Sequence, residues 1–226
     1  MDLPDLLLID KPAGITSMDV IRQLRKRLNT RKMGHAGTLD PAATGLMLIG
    51  IGPGTKQLND FIKLDKEYLA EIQLGTKTAS GDLDGPVLEE QDVTNVDEQQ
   101  VEKVVSSLVG EIELPVSAYS AIKVDGVPMY KRAHQAERDG EEALEPTVRS
   151  MKVLEAVYLG IREEGGKTIV TARFLVGSGT YIRSLGEEVG KQLGYPATLH
   201  SLRRTKIGIF DVLHAKQIEE VGGLSI

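Results

Sequence analysis

Residues 34–41 read Gly-His-Ala-Gly-Thr-Leu-Asp-Pro, a polar and glycine-rich segment that holds one imidazole, His35, and one carboxylate, Asp40. A lone carboxylate can act as a nucleophile without a cofactor, and loops held by a rigid scaffold often carry catalytic groups. The alternative is an ordinary turn in which Asp40 hydrogen-bonds the backbone. Residue type and spacing alone leave both interpretations open.

Other chemistries lack the groups that they need. The chain has no cysteine, which excludes a thiolate nucleophile, a disulfide framework, an iron–sulfur cluster and a Cys-based zinc site. Its four histidines, at 35, 134, 200 and 214, lie far apart with no carboxylate at ligand spacing. The glycine-rich segments 50–56 and 177–182 lack the spacing of a P-loop and of a dinucleotide-binding fingerprint. We therefore predict no cofactor and no metal.

Charge is distributed unevenly along the 226 residues, whose formal net charge is −6. Residues 81–113 carry ten carboxylates against the single Lys103. Residues 20–39 hold no acidic residue and six basic ones, namely Arg22, Arg25, Lys26, Arg27, Arg31 and Lys32. This segregation favours one anion-binding face, although charge runs on helices are often only solvated.

Periodicity and turn residues predict an α+β chain, because strands and helices mix without a regular βαβ repeat. The predicted strands are 6–10, 68–74 and 168–176, the helices are 17–28, 97–109 (closed by Gly110) and 180–193, and 116–130 is a hairpin turning at 125–126. Loops are expected at 29–44 and 75–85. The longest apolar run, 46–51, is far too short for a membrane span and no secretory signal is present, so we expect a cytoplasmic protein.

The segment 34–41, followed by Ala43, Gly45, Leu46 and 54–56, resembles the signature of the TruB family of tRNA pseudouridine synthases. Six further motifs stand in the family's order and spread the resemblance over about 200 residues. They are Asp10-Lys11-Pro12 with Gly14 and Ser17, Lys66-Glu67-Tyr68, Gly75 through Asp82 to Gly85, Ser120-Ala121-Ile122-Lys123, residues 179–185, and Leu202-Arg203-Arg204.

The resemblance implies a pseudouridine synthase fold, with a mixed, mainly antiparallel sheet flanked by helices and a central active-site cleft. It implies isomerisation of uridine 55 in the T-loop of tRNA to pseudouridine, by base flipping and without a cofactor. The expected partner is the T-arm of tRNA. We expect a monomer that needs no membrane, guide RNA or obligate protein partner.

The resemblance also implies catalytic roles. Asp40 matches the catalytic aspartate, a nucleophile or base acting on the ribose or the uracil ring. Arg183 matches the arginine that sits against this carboxylate and keeps it ionised, where a helix-surface arginine is the alternative. Tyr68 matches the tyrosine that stacks on the flipped base, although periodicity alone allows a core residue.

Substrate-binding roles follow in the same way. His35 matches the residue that fills the space left by the flipped base, with a turn histidine as the alternative. Tyr181 and Leu202 match residues that line the uracil pocket, where either could instead pack the core. Lys11 would support the Asp40 loop or meet a phosphate. The RNA-backbone contacts would be the six cations of 20–39 together with Arg203, Arg204 and Lys206.

Three features depart from the family pattern. His134 stands where the family usually has Arg, Ala79-Ser80 replaces a polar-Thr pair, and no small C-terminal PUA domain follows. We expect a single catalytic domain over 1–226, with a flexible flap near 131–147 and a short C-terminal segment 211–226. The alternatives are a non-catalytic RNA-binding module and a guide-RNA-dependent catalytic subunit; a carboxylate-pair glycosidase is remote, because no second acid accompanies Asp40.

Overall fold

The computed structural model describes residues 3–117, 123–124, 127–129, 132, 135, 138–139 and 147–222. Its α-helices are α1 (Ser17–Arg27), α2 (Leu58–Lys63), α3 (Glu98–Ser107) and α4 (Ile182–Leu193). Its strands are β1 (Leu6–Lys11), β2 (Met33–His35), β3 (Thr44–Ile51), β4 (Lys66–Leu74), β5 (Thr76–Thr78), β6 (Val87–Glu90), β7 (Gly110–Val116), β8 (Lys123–Val124), β9 (Val127–Pro128), β10 (Thr147–Glu164), β11 (Lys167–Val176), β12 (Ala197–Ile207) and β13 (Phe210–Asp211). Short 3-10 helices span Gly52–Gln57, Val212–His214 and Ile218–Glu220.

The large sheet has the strand order β1-β3-β12-β4-β11-β10-β7, with β2 paired to β3 and β13 paired to β12. β1 and β2 run antiparallel to β3, and β10 runs antiparallel to β7. β12 runs parallel to β3, placing Arg204 opposite Gly45. The predicted α+β fold with a mixed, mainly antiparallel sheet and flanking helices is therefore confirmed.

Backbone contacts divide the chain into two compact units. The first comprises Met1–Leu69, Phe174–Ser178 and Ser201–Ile226, and the second comprises Ala70–Arg173 and Gly179–His200. Buried apolar side chains of the first unit form a cluster of Ala36, Leu46, Leu48, Leu58 and Ile207. Those of the second unit include Ile72, Val101, Val105, Leu185 and Val189. The single catalytic domain over 1–226 stays a prediction.

Helix α1 begins with a capping box, in which the Thr16 hydroxyl accepts from the Asp19 amide at 3.1 Å and the Asp19 carboxylate accepts from the Thr16 amide at 3.0 Å. Its apolar side Val20, Ile21 and Leu24 is buried, so the predicted helix is confirmed. Burial of that side leaves most of the basic residues of the helix facing solvent.

The structure differs from the predicted elements in several places. The predicted loop 29–44 contains β2, which is too short for its sequence to show a strand period. β3 is buried on both faces and therefore lacks the alternation of a half-exposed strand. α3 ends at Ser107, while Gly110 begins β7 with a φ of +128° instead of closing the helix.

The expected hairpin is represented by β8 and β9, which pair Lys123 with Pro128 and Val124 with Val127. Its turn at 125–126, and residues 120–122 of one family motif, lie outside the described residues. Most of the expected flap near 131–147, including His134, also lies outside them, as do residues 223–226. No helix in the described part of the chain is long and apolar enough to cross a membrane.

Candidate active site

Asp40 lies half-buried in the loop of residues 36–43, which joins β2 to β3 and is called here the Asp40 loop. The Ala43 amide donates to the Asp40 carbonyl at 3.1 Å, closing a turn that begins at Asp40. The Gly14 amide donates to the Pro41 carbonyl at 2.9 Å and ties the loop to the segment before α1. The backbone at Asp40 and Pro41 is thus fixed by main-chain hydrogen bonds.

Two buried side chains hold the middle and the C-terminal flank of the Asp40 loop. The Ser17 hydroxyl donates to the Leu39 carbonyl at 3.0 Å and accepts from the Leu39 amide at 2.8 Å. The Lys11 ammonium donates to the carbonyls of Pro41 at 3.0 Å and Ala43 at 2.6 Å. Lys11 is 0% exposed, so the structure favours its role as loop support over a phosphate contact.

A third buried side chain, Arg204 on β12, holds the N-terminal flank. Its Nη2 donates to the Gly37 carbonyl at 3.2 Å, and its Nη1 lies 3.5 Å from the Thr38 carbonyl. Its Nε donates to the Leu46 carbonyl at 2.8 Å. Because Arg204 is 1% exposed and its guanidinium is bonded to these carbonyls, the prediction that it contacts RNA phosphate is wrong.

Burial lowers the pKa of two lysines next to the Asp40 loop. Burial lowers the pKa of Lys11 to about 8, an effect opposed by the Asp40 carboxylate and reinforced by Arg204. Burial, with a smaller contribution from Arg204, also lowers the pKa of Lys66 to about 8. The Lys66 ammonium donates to the carbonyls of Ile62 at 2.9 Å and Leu64 at 2.6 Å, outside the loop.

Three further predicted site residues belong to the same unit. His35 ends β2, and burial lowers its pKa while an interaction with the Gly37 backbone acts in the opposite direction. The side chain is therefore a neutral imidazole at pH 7. Tyr68 on β4 is only 7% exposed, which fits both a core residue and the floor of a pocket. Leu202 on β12 is half-buried.

In the second unit, Arg183 lies in the first turn of α4 and is 8% exposed, so the helix-surface alternative is wrong. Its Nη1 donates to the Ser80 carbonyl at 2.8 Å and lies 3.6 Å from a carboxylate oxygen of Asp82. Tyr181 occupies the N-cap position of α4 and is half-buried. The pairing of Arg183 with Asp40 stays a prediction.

Sequence reasoning assigned no role to Asp82 beyond its place in a motif. Its carboxylate accepts from the Ser80 hydroxyl at 2.5 Å and from the Asp84 amide at 3.2 Å, so it is turned toward Arg183 by its own loop. The Ser-Gly-Asp-Leu-Asp sequence is typical of a side-chain-stabilised turn, and that signal could have identified Asp82. Ser80, one of the departures from the family pattern, therefore retains a hydroxyl that organises this loop.

The basic side chains predicted to contact the RNA backbone differ in their exposure to solvent. Lys26, Arg31 and Lys32 are exposed. Arg22 is also exposed but pairs with Asp19, and the exposed Arg27 donates to the Glu219 carbonyl at 3.2 Å. Arg25 is half-buried and donates to the Met33 carbonyl at 3.0 Å. Two nitrogens of Arg203 bond the Asp10 carboxylate at 3.0 and 2.7 Å, whereas Lys206 lies 3.7 Å from Glu67.

Within the described ranges, no three His, Asp or Glu side chains are grouped so that they could hold a metal ion.

Curated relatives match nearly the whole chain. The tRNA pseudouridine synthase B of Corynebacterium efficiens is 42% identical over 224 residues, which are 98% of this chain and 74% of the relative. That of Endomicrobium trichonymphae is 41% identical over 219 residues, which are 97% of this chain and 91% of the relative.

Solved structures share the fold. An H/ACA ribonucleoprotein bound to a substrate RNA containing 2′-deoxyuridine superposes with a TM-score of 0.69 at 26% identity. A Cbf5–Nop10–Gar1 complex superposes with a TM-score of 0.70 at 27% identity. Each match covers 96% of this chain but only 52% and 53% of the other, so this chain spans about half the length of those proteins.

A family model adds to these similarities. The description of that model is the N-terminal domain of the TruB family of pseudouridylate synthases, and it matches residues 25–182, more than half of the chain. The matched segment contains Asp40, the Asp40 loop and Tyr68. The match and the two relatives show that the chain belongs to the TruB family of pseudouridylate synthases.

Proposed function

We propose that this chain converts uridine 55 in the T-loop of tRNA to pseudouridine, with Asp40 as the nucleophile or base. The observation that carries the proposal is the Asp40 loop, whose backbone is hydrogen-bonded by Lys11, Ser17 and Arg204 around one half-buried carboxylate. A carboxylate held in this way is positioned before substrate arrives, which lowers the entropic part of the barrier. The names of the relatives support the substrate class.

The proposed reaction is an isomerisation, in which nothing is added to or lost from the nucleoside. The glycosidic C–N bond breaks, uracil turns while it is held, and a C–C bond forms from C5 of uracil to the same ribose. C5 loses its proton and N1 gains one, so the atoms balance without a co-reactant. Asp40 attacks the ribose or the uracil ring, or removes a proton, and must be ionised to do so. The family resemblance gives Arg183 a catalytic role in the same reaction.

Access to the reacting atoms requires extrusion of the uridine from the T-loop. The apolar and aromatic residues Tyr68, Tyr181 and Leu202 receive the base, and His35 fills the position that it leaves. A neutral imidazole suits this insertion, because it stacks among bases without carrying a charge into them. Lys26, Arg31 and Lys32 contact the RNA backbone, since these basic side chains are exposed.

A second candidate is a catalytic subunit that works within a ribonucleoprotein, as the titles of the structural neighbours describe for those proteins. Identity favours the first candidate: it is 41–42% with the tRNA pseudouridine synthase B relatives and 26–27% with the neighbours. We therefore propose a cytoplasmic monomer that needs neither guide RNA nor protein partners.

The test uses the purified chain alone with an unmodified tRNA transcript, followed by mapping of pseudouridine at single-nucleotide resolution. We expect one modified position, uridine 55, and none in a transcript that carries cytidine there. Absence of pseudouridine with the chain alone would contradict the proposal. Modification that requires guide RNA or added proteins would support the second candidate instead.

A further inference from the structure

Arg204, for which the sequence predicts an RNA contact, is instead buried and hydrogen-bonded to the Asp40 loop. We infer that Arg204 is a positioning residue: its guanidinium fixes the N-terminal flank of the Asp40 loop so that the carboxylate is held ready for reaction. This inference rests on the proposed function and adds a residue to its site. Arg204 acts through the loop and does not touch substrate.

The three hydrogen bonds of Arg204 span the loop. Two guanidinium nitrogens reach the carbonyls of Gly37 and Thr38, before Asp40, and the third reaches Leu46, on the strand that follows the loop. One planar group thus bridges both ends of the segment that carries the carboxylate. The nitrogens of a guanidinium keep fixed relative positions, whereas a lysine has one nitrogen and cannot make the same bridge.

The glycines beside Arg204 show how closely β3 approaches it and which backbone conformation the loop adopts there. Gly37 has a φ of +97°, and a Cβ there would lie 3.5 Å from Arg204 Nη1 and 3.6 Å from Lys66 Cε. Gly45 has a φ of +106°, and a Cβ there would lie 2.2 Å from the Arg204 carbonyl. Gly45 therefore allows β3 to lie directly against the backbone of residue 204, and Gly37 allows the positive φ at the N-terminal flank of the loop.

Stability alone does not explain the charged side chains around the Asp40 loop, because burying a charge costs free energy. Lys11 and Arg204 are buried cations hydrogen-bonded to carbonyl oxygens of the Asp40 loop and of β3, and Arg204 contributes to lowering the pKa of Lys11. Buried polar groups of this kind are often no more stabilising than well-packed apolar residues. Such costs are expected where function requires them, and here they adjoin the loop of Asp40.

Arg204→Met removes the bridge while keeping an unbranched side chain of moderate size. Lys66→Met is the matched control, because Lys66 is also a buried cation near Arg204 but donates both of its hydrogen bonds, to the carbonyls of Ile62 and Leu64, outside the loop. Three quantities are measured for each: the single-turnover rate on tRNA, the Kd for tRNA, and amide hydrogen exchange at two loop residues, Leu39 and Ala43, whose amides donate to the Ser17 hydroxyl and the Asp40 carbonyl.

For Arg204→Met we expect a single-turnover rate at least about 100-fold lower, a Kd within about threefold of wild type, and exchange at Leu39 and Ala43 at least about tenfold faster. For Lys66→Met we expect the rate and the loop exchange to stay within about threefold of wild type, even if the protein is less stable. Arg204→Lys, which keeps the charge but not the bridge, should resemble Arg204→Met in both readouts.

Wild-type rate and loop exchange in Arg204→Met would overturn the inference, as would equal losses in Arg204→Met and Lys66→Met. If Arg204→Met does not fold, the same criteria apply to Arg204→Lys. If the wild-type chain makes no pseudouridine, the proposed function fails. The exchange rates then still decide whether Arg204 holds the loop, because that readout does not require catalysis.

Discussion

At the scale of single residues, the Asp40 loop is supported by ammonium and guanidinium groups that solvent does not reach. Lys11 is 0% exposed, and its nitrogen bonds the carbonyls of Pro12, Pro41 and Ala43. Removing this charge from water favours the neutral amine, which is why burial is the main cause of its lowered pKa. Supporting the Asp40 loop with a buried charge therefore lowers the stability of the folded state.

This protonation predicts how stability depends on pH. The pKa of Lys11 is about 8 in the folded protein against its ordinary value of 10.5, so between these pH values the unfolded state binds more protons. The free energy of unfolding should then rise with pH, by up to about 3 kcal/mol for each such lysine, with a similar rise from Lys66. Lys11→Met should remove about half of the total rise in the free energy of unfolding.

Urea unfolding between pH 7.5 and 10.5 measures this rise, with Lys63→Met, an exposed lysine of α2, as the control. The control should follow the wild-type curve. If Lys11→Met also gives a curve parallel to that of wild type, the lowered pKa of Lys11 is not a property of the folded protein.

At the scale of elements, the sequence predicts best what is local. α1 and α4 follow the helical period, and β4 and β11 were recognised by alternation or strand-forming composition. β3 and β12 were not predicted, and their parallel pairing decides where Arg204 points. Hydrophobic periodicity does not encode that long-range contact. The Leu202-Arg203-Arg204 motif therefore identified Arg204 as a site residue, but the predicted partner, RNA phosphate, was wrong. The loop bonds of Ser17 could not be predicted for the same reason.

The close approach of β3 and β12 gives a stability prediction. Gly45→Ala places a Cβ 2.2 Å from the Arg204 carbonyl and 2.7 Å from its amide nitrogen, at a φ of +106°. Backbone atoms cannot move aside cheaply, so we expect a loss of more than about 2 kcal/mol in the free energy of unfolding.

The control is Gly52→Ala, which places alanine at a positive φ without a steric clash. The difference between the two variants therefore measures the clash at Gly45. Gly52 has a φ of +53° with nothing within 4 Å of its Cβ position, so this variant should lose only about 1 kcal/mol. Chemical denaturation of both variants makes the comparison. Equal losses would show that the strands do not approach as closely as described.

The basic surface of α1 and the segment after it predicts a salt effect. Lys26 and Lys32 are exposed, so reversing both to Glu should weaken tRNA binding and reduce the slope of log affinity against log salt by about 0.7–0.9 for each lost phosphate contact. Arg25 is unsuitable for this test, because its bond to the Met33 carbonyl would also be lost.

Lys103→Glu, in the acid-rich second unit, is the control for charge reversal. Binding measured from about 50 to 300 mM salt should change in the double variant and not in the control, and the rate at saturating tRNA should stay unchanged in both. An unaltered slope in the double variant would remove this surface from the RNA interface.

At the scale of the whole molecule, the proposed function implies that the protein recognises the T-arm of tRNA. An isolated T-arm hairpin should then be modified at the same uridine and with a saturated rate close to that of whole tRNA, because its loop supplies what the site recognises. Whole tRNA should differ mainly by tighter binding, through additional phosphate contacts. Steady-state kinetics on both substrates check this, and modification of scattered uridines in the hairpin would contradict it.

The central claim is that the Asp40 carboxylate performs the reaction in its hydrogen-bonded loop. The most direct measurement is pseudouridine formation in a single tRNA turnover by Asp40→Asn, which removes the charge with little change of shape. Asp60→Asn, an exposed carboxylate of α2, is the control. The account predicts no detectable pseudouridine with Asp40→Asn, tRNA affinity within a few-fold of wild type, and a normal rate with the control. Turnover near the wild-type rate in Asp40→Asn would contradict it.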